Sequence, residues 1–523
     1  MLLLLPLIFY GLTAIVLGIL RLRGMRMAFL WLMPVILSLA CWIIFLVMPI
    51  PSSASLFKIP GLFSLRPDEG LSLIIDSSSW GFIYLVISLV LGYFLTMVIR
   101  LEKEKRTWLW VGWLLLSLTA ILSFSAGNLN TLILAWVLFD LLDFLFTHFI
   151  LKINEVKASL YEYLPSRVIS VLLLIAAGIF LPAEFAQWLP SPLAPPAYIL
   201  LFLAGLFRTG LLPSRSLNQP AIENESSFLL IKRILPVLSG FSLLSFLPIN
   251  FLNNFSRIFL SIIFLILAIV YALLSIQKQK TFSYFWLNSI ICLGCIAVTS
   301  GTPIAMLGWG GVALLGASIP HFFTHRSKRI RVFALLGVFS LSGIPYSVAA
   351  FALAGLTSVS SFLWIIPVLP IFALLLFLFV DSIQMPNDES LTPEPLYLAV
   401  HLIGLFITAF APFAILIKNA QLAGSVLNYW WAGITVVFLC LVMMLLKRKV
   451  HLKSNVIGKL SPVLIFVDRV LTFQWLERVW QWLSWFLSGF INFLTGLLEG
   501  EGGIIWAIVI LVLLVSLISI GRS

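Results

Sequence analysis

Apolar runs close to the ~20 residues needed to cross a bilayer recur from one end of the chain to the other, separated by short polar or basic breaks. This pattern predicts membrane helices at Leu2–Leu20, Met27–Ile50, a stretch following Asp76, Trp108–Phe124, Leu129–Ile150, Arg167–Leu181 and Ala197–Leu212. An eighth carries Lys232, Arg233 and Pro236, and the series continues through Ile258–Ile276, Phe282–Val298, Pro303–Phe322 and Val332–Leu356 to Phe362–Val380, Tyr397–Ile417 and Tyr429–Leu446. From Ser461 to Leu498 a Trp/Phe/Leu face mixes with Asp468, Arg469, Glu477 and Arg478, the pattern of an amphipathic helix lying along the membrane surface. The glycines of Glu499–Gly503 stop that helix, and Ile504–Ile520 returns across the bilayer.

Two interruptions stand out. The seventh span ends at Pro213 and is followed by a polar stretch, and the eighth sets Pro236 beside two cations, which predicts a broken or kinked helix. Gly343-Ile344-Pro345 falls in the middle of the twelfth. The expected fold is therefore all-α and polytopic, with about sixteen transmembrane helices, two of them discontinuous, and a C-terminal amphipathic surface helix. Its expected divisions are N-terminal helices over 1–106, a core over 107–380, peripheral helices over 381–460, the surface helix over 461–503 and the final helix over 504–523.

Composition removes other classes. Of 523 residues, 61% are hydrophobic and 10% charged, with mean hydropathy +1.13, so no segment is left for a soluble domain. The formal charge of +12 falls in short loops rather than one stripe, which argues against a nucleic-acid partner. With alternating spans, about 22 Lys/Arg lie on one side and about 5 on the other, which makes the richer side cytoplasmic. That count includes Lys152, Lys157 and Arg167 as one basic loop, and it puts the N-terminus outside a bacterial-type plasma membrane. Met1–Leu20 has neither a basic n-region nor a small-residue cleavage site and reads as a retained first helix. Cys292-Leu-Gly-Cys295 lacks the second pair that a zinc site requires, so the four cysteines read as core packing.

The ionisable residues inside the spans carry the chemistry. Asp140 and Asp143 share one helix face at i, i+3, and like charges at that spacing favour keeping one proton between them. A charge at bilayer depth costs about 2.5–3.5 kcal/mol on insertion scales and normally faces a bundle interior or a watered cavity. Lys232 and Arg233 are adjacent and point about 100° apart, so only one can face a channel axis. Lys232 is the better proton carrier, because arginine does not release its proton. His401 lies deep in its span and His148 near the end of its own. No phosphate loop, metal set, nucleophile motif or haem-type histidine pair is legible, so no cofactor and no catalytic centre are expected.

Four stretches in order resemble the antiporter-like subunits of respiratory complex I and of Mrp-type multi-subunit cation/proton antiporters. They are Gly127-Asn-Leu-Asn-Thr-Leu-Ile-Leu-Ala-Trp136, Leu203-Ala-Gly-Leu-Phe-Arg208-Thr-Gly-Leu-Leu-Pro213, Ala272 to Tyr284, and Leu341-Ser-Gly-Ile-Pro345. The resemblance implies a membrane subunit in contact with other membrane subunits and the lipid bilayer, moving protons or Na⁺ as part of an ion-translocating oxidoreductase or antiporter complex.

The departures from the family pattern are specific. The family's glutamate position after the tryptophan is Val137, and the carboxyls come later, at Asp140 and Asp143. The broken-helix lysine is matched by Arg208, which keeps the charge and removes the relay. Of the family's charged positions in the third stretch, read here as Gln277-Lys-Gln-Lys280, only that of Lys280 keeps a charge, and the eleventh span reads Gly308-Trp-Gly-Gly-Val312 where the family carries titratable groups. A path there needs water in a polar cavity. Two readings follow: an ion-translocating subunit using Asp140, Asp143, Lys232, Arg233, Lys280 and His401 with Arg208 as counter-ion, or a non-pumping scaffold that binds partner subunits.

Overall fold

The computed structural model describes residues 4–23, 30–50, 53–59, 70–97, 107–151, 154–180, 195–212, 227–248, 251–277, 282–300, 302, 305–322, 328–356, 362–384, 395–418 and 430–449, together with 485, 488 and 489. The chain falls into two units, one of residues 1–212 and 219–459, the other of 213–218 and 460–523. Only Trp485, Ser488 and Gly489, all helical, are described in the second. The surface helix and final span expected there lie outside the described residues.

The first unit is a helical bundle. Its elements are α1 (Leu5–Leu22), α2 (Leu32–Val47), strands β1 (Ser53–Ile59) and β2 (Leu71–Asp76), α3 (Ser77–Thr96), α4 (Thr107–Phe124) and α5 (Leu129–Leu145). α5 runs on as a π turn over Phe146–Leu151. Then come α6 (Asn154–Phe180), α7 (Pro195–Arg208), α8 (Ser227–Ser245), α9 (Asn254–Gln277), α10 (Phe282–Thr299), α11 (Met306–Phe322), α12 (Lys328–Leu341), α13 (Val348–Ala354), α14 (Phe362–Gln384), α15 (Pro395–Lys418) and α16 (Trp430–Lys449). Among the described residues six helices are long and apolar enough to cross a membrane, and shorter apolar helices accompany them.

α3 is the hub. It is apolar all round rather than striped, and its membrane-length window is wholly buried, as a helix without a polar face must be. α2, α4, α8, α11 and α15 pack around it. Asp76 caps its start, accepting from Ser79 N at 2.7 Å, while Ser79 Oγ accepts from Asp76 N at 2.8 Å.

One feature departs from the all-α expectation. β1 and β2 pair antiparallel, Ser53 opposite Asp76, within and beside the segment expected only as an outer polar loop. The alternation in Leu71-Ser-Leu-Ile-Ile favours an extended strand. β2 then docks on the turn between α4 and α5: Ile74 N donates to Ser125 O at 2.7 Å and Ser72 N to Thr131 Oγ1 at 2.9 Å. Asn128 caps α5 by accepting from Thr131 N at 2.9 Å and donates its Nδ2 to Gly70 O at 2.5 Å. The entrance of α5, and with it the register of Asp140 and Asp143, is fixed from outside the bundle.

The chain also leaves helical geometry between α12 and α13. Gly343 adopts φ +77°, which an L side chain rarely does, and Ser347 restarts the helix by accepting from Ala350 N at 3.1 Å.

The glycines of α11 serve close packing. A Cβ on Gly308 would lie 2.7 Å from the Ala352 backbone nitrogen in α13, and one on Gly316 would fall inside the Trp286 ring. Apolar neighbours fill the space that a watered link would occupy. Gly308→Val is expected to destabilise the protein by about 1–3 kcal/mol through overpacking, read as a lower thermal unfolding midpoint in detergent.

Candidate functional site

Residues from four helices meet beside the π turn. On α5, Trp136, Phe139 and Asp143 face inward, Val137 and Leu141 face outward, and Asp140 sits at the boundary with its side chain 12% exposed. Val137, at the family's glutamate position, is therefore on the outer face. Asp140 reaches inward instead: Arg208, the last residue of α7, donates Nη1 to Asp140 Oδ2 at 2.7 Å.

Asp143, fully buried, has partners of its own. Arg167 Nη1 donates to Asp143 Oδ2 at 2.5 Å, and Lys232 Nζ lies 3.2 Å from Oδ1. Thr147, inside the π turn, closes a triangle by donating to Asp143 Oδ1 and accepting from Lys232 Nζ, both at 3.1 Å. π turns inside helices are frequent at functional positions. Arg167 Nη1 also lies 3.8 Å from Asp140 Oδ1, which links the two halves. Each carboxylate thus has its own cation, so the repulsion that favoured a shared proton on the helix face alone is offset.

Aromatic faces hold the guanidinium groups. Arg208 Cζ stands 4.7 Å from the Trp136 ring centre and 5.2 Å from that of Phe139, and Arg167 stands over the other side of the cluster at 5.3 Å from Phe139. Trp136, from the first of the resembling stretches, therefore positions Arg208.

Arg167 is the residue that sequence reasoning misplaced. Counted as a loop charge marking topology, it lies within α6 and is buried. Its Nη2 donates to the Lys232 carbonyl at 2.6 Å. That carbonyl belongs to residue i−4 of Pro236, and proline has no N–H to offer it. α8 runs as one helix from Ser227 to Ser245 with Pro236 inside it, so the sequence's alternative of a broken helix does not hold there. The signal was present: a mid-helix proline frees a specific carbonyl, and a buried cation must come from elsewhere to meet it.

The remaining candidates divide. Lys232 and Arg233 point apart as their adjacency requires: Lys232 is buried on Asp143, and Arg233 is half-buried with its Cζ 4.3 Å from the Tyr284 ring centre. His401 is buried on α15 and hydrogen-bonds through Nδ1 with Thr96 O of α3 at 3.1 Å, while the ion-pair network is built without it. His148, half-buried, stacks on Phe144. Lys280 lies outside the described residues. Cys292 and Cys295 are both buried in α10.

No known family profile and no curated relative match the chain. Its structure is similar to a chain in the structure of the Mrp complex from Dietzia sp., with TM-score 0.61 at 15% identity. The chain has an Mrp-type, antiporter-like fold. The match covers 100% of this chain and 63% of that one, so this chain spans less than two thirds of its length. Together with the apolar helices, the antiporter-like fold identifies an integral membrane protein.

The described charges of the cluster are uneven. Arg167, Arg208 and Lys232 face Asp140 and Asp143, three cations against two carboxylates among the described residues. Arginines stay charged, whereas a desolvated lysine can give up its proton. Loss of that proton leaves two guanidinium groups balanced by two carboxylates.

Proposed function

We propose that the chain is an antiporter-like membrane subunit of a multi-subunit complex and moves protons across the membrane with Lys232 as the group that loads and unloads. The charge count around Asp143 carries this reading. Lys232 is the member of the cluster whose proton can leave while every remaining buried charge keeps a partner, and Thr147 supplies a hydroxyl between it and Asp143. Asp140 and Arg208 set the field in which that happens, and Arg167 holds Asp143 in place. The network spans α5, α6, α7 and α8, and two of the four resembling stretches fall on α5 and α7.

Asp140→Asn separates proton movement from assembly. The amide still accepts from Arg208 at the edge of the cluster, so the complex is expected to assemble. The cluster gains one net positive charge, which opposes reloading of Lys232, so proton uptake by reconstituted vesicles is expected to fall at least about tenfold. Normal transport by an assembled Asp140→Asn complex would exclude this reading.

A second reading, a non-pumping scaffold that binds partner subunits, is favoured by α11. Its glycines are packed by apolar groups and no titratable side chain stands between Gly308 and Ser318, so a route onward from Lys232 through that helix is closed. In that case the cluster ties α5, α6, α7 and α8 together, and Asp140→Asn changes assembly or nothing.

A further inference from the structure

A cavity of about 20 Å³ opens beside the ion pairs, and its lining is one-sided in charge. Arg167, Arg208, Lys232 and Arg233 all contribute to it, with Tyr284 and Asn288 from α10, and among the described residues no carboxylate lines it. A single water-sized particle needs about 10–15 Å³ of such space, so the cavity has room for about one.

The donors identify what kind of particle fits. Arg208 and Asn288 are 1% and 2% exposed, and Nε of the former and Nδ2 of the latter have no hydrogen-bond partner in the protein. Buried N–H groups of this kind need an acceptor. A water molecule accepts but must also donate, whereas an anion only accepts, which matches walls that carry an excess of donors. Charge points the same way: among the described residues the ion-pair cluster holds one more cation than carboxylate while Lys232 is protonated, and a buried surplus charge is costly unless countered.

We propose that this cavity binds one small monovalent anion of the halide class, held by Arg208 and Asn288 and balancing the surplus positive charge of the α5–α8 cluster. The site follows from the unpartnered donors and from the charge of the cluster with Lys232 protonated, whether or not that proton is moved across the membrane. It gives Arg208 a second task beside its pairing with Asp140: one face of the guanidinium serves the carboxylate, and Nε serves the anion.

The test uses the full-length protein purified with whatever subunits accompany it. Unfolding is followed in sodium chloride, sodium bromide and sodium gluconate at equal ionic strength, gluconate being too large for the cavity. Chloride and bromide are expected to raise the midpoint saturably by about 2 °C over gluconate, and Asn288→Leu to lose that increment. Anomalous diffraction from bromide-grown crystals is expected to place a bromine beside Arg208 and Asn288, and this position decides the matter should Asn288→Leu fail to fold. No halide-specific rise, an undiminished rise in Asn288→Leu, or no bromine peak in the cavity would each overturn the proposal.

Discussion

Asp143→Asn is expected to be the most damaging single substitution in the molecule. Asp143 accepts from Arg167, Lys232 and Thr147 at once, with no exposure to solvent. Neutralising it leaves two buried cations without their shared partner, and breaking a buried pair in this way costs about 3–5 kcal/mol. Most of the folded complex should be lost from detergent extracts, as read by size-exclusion chromatography. The same substitution combined with Lys232→Met should recover a large part of the loss, because the double variant returns to the original surplus of one cation. Addition of the two single effects, with no recovery, would contradict the shared-partner geometry.

Lys232 variants should separate folding from ion movement. Lys232→Met leaves Arg167 and Arg208 balanced against Asp140 and Asp143, and Asp143 keeps its bonds from Arg167 and Thr147, so the protein should fold about as well as the wild type. Lys232→Arg preserves the charge and removes a proton that can leave at any accessible pH. Both should lose proton movement by at least about tenfold, for opposite reasons: one holds the cluster permanently unloaded, the other permanently loaded. A mere structural cation at this position would let Lys232→Arg transport normally and would make Lys232→Met the worse of the two.

Much of the fold is legible in the sequence, because membrane helices declare themselves by length and hydropathy. The run Trp108–Phe124 differs from α4 by a single residue, and Leu129–Ile150 coincides with α5 and its π turn. The inner face of α5 was equally readable from the spacing of Asp140 and Asp143. Arg208 was assigned as a counter-ion on the cost of unpaired buried charge alone, and it lies on Asp140.

What the sequence hid has physical causes. The first half of α6, Asn154 to Pro165, is too polar to read as helix, so Arg167 looked like the edge of a loop when it lies thirteen residues inside. Pro236 looked like a break because its own helix cannot satisfy the Lys232 carbonyl, and only the tertiary structure supplies Arg167 to do so. The β1–β2 hairpin was concealed by its short, mixed strands, which need α4 and α5 as partners. Whether glycines in α11 opened a polar cavity or admitted large neighbours was beyond the sequence altogether, since the filling side chains come from α3, α8, α10, α13 and α15.

The most direct measurement is proton uptake into proteoliposomes containing the purified complex, followed with a pH-sensitive dye, for wild type and Lys232→Arg at matched protein content. The account expects uptake by the wild type and a drop to the level of empty vesicles for an equally assembled Lys232→Arg complex. Equal uptake by the two would show that Lys232 does not carry the proton and that the buried cluster only holds the helices together.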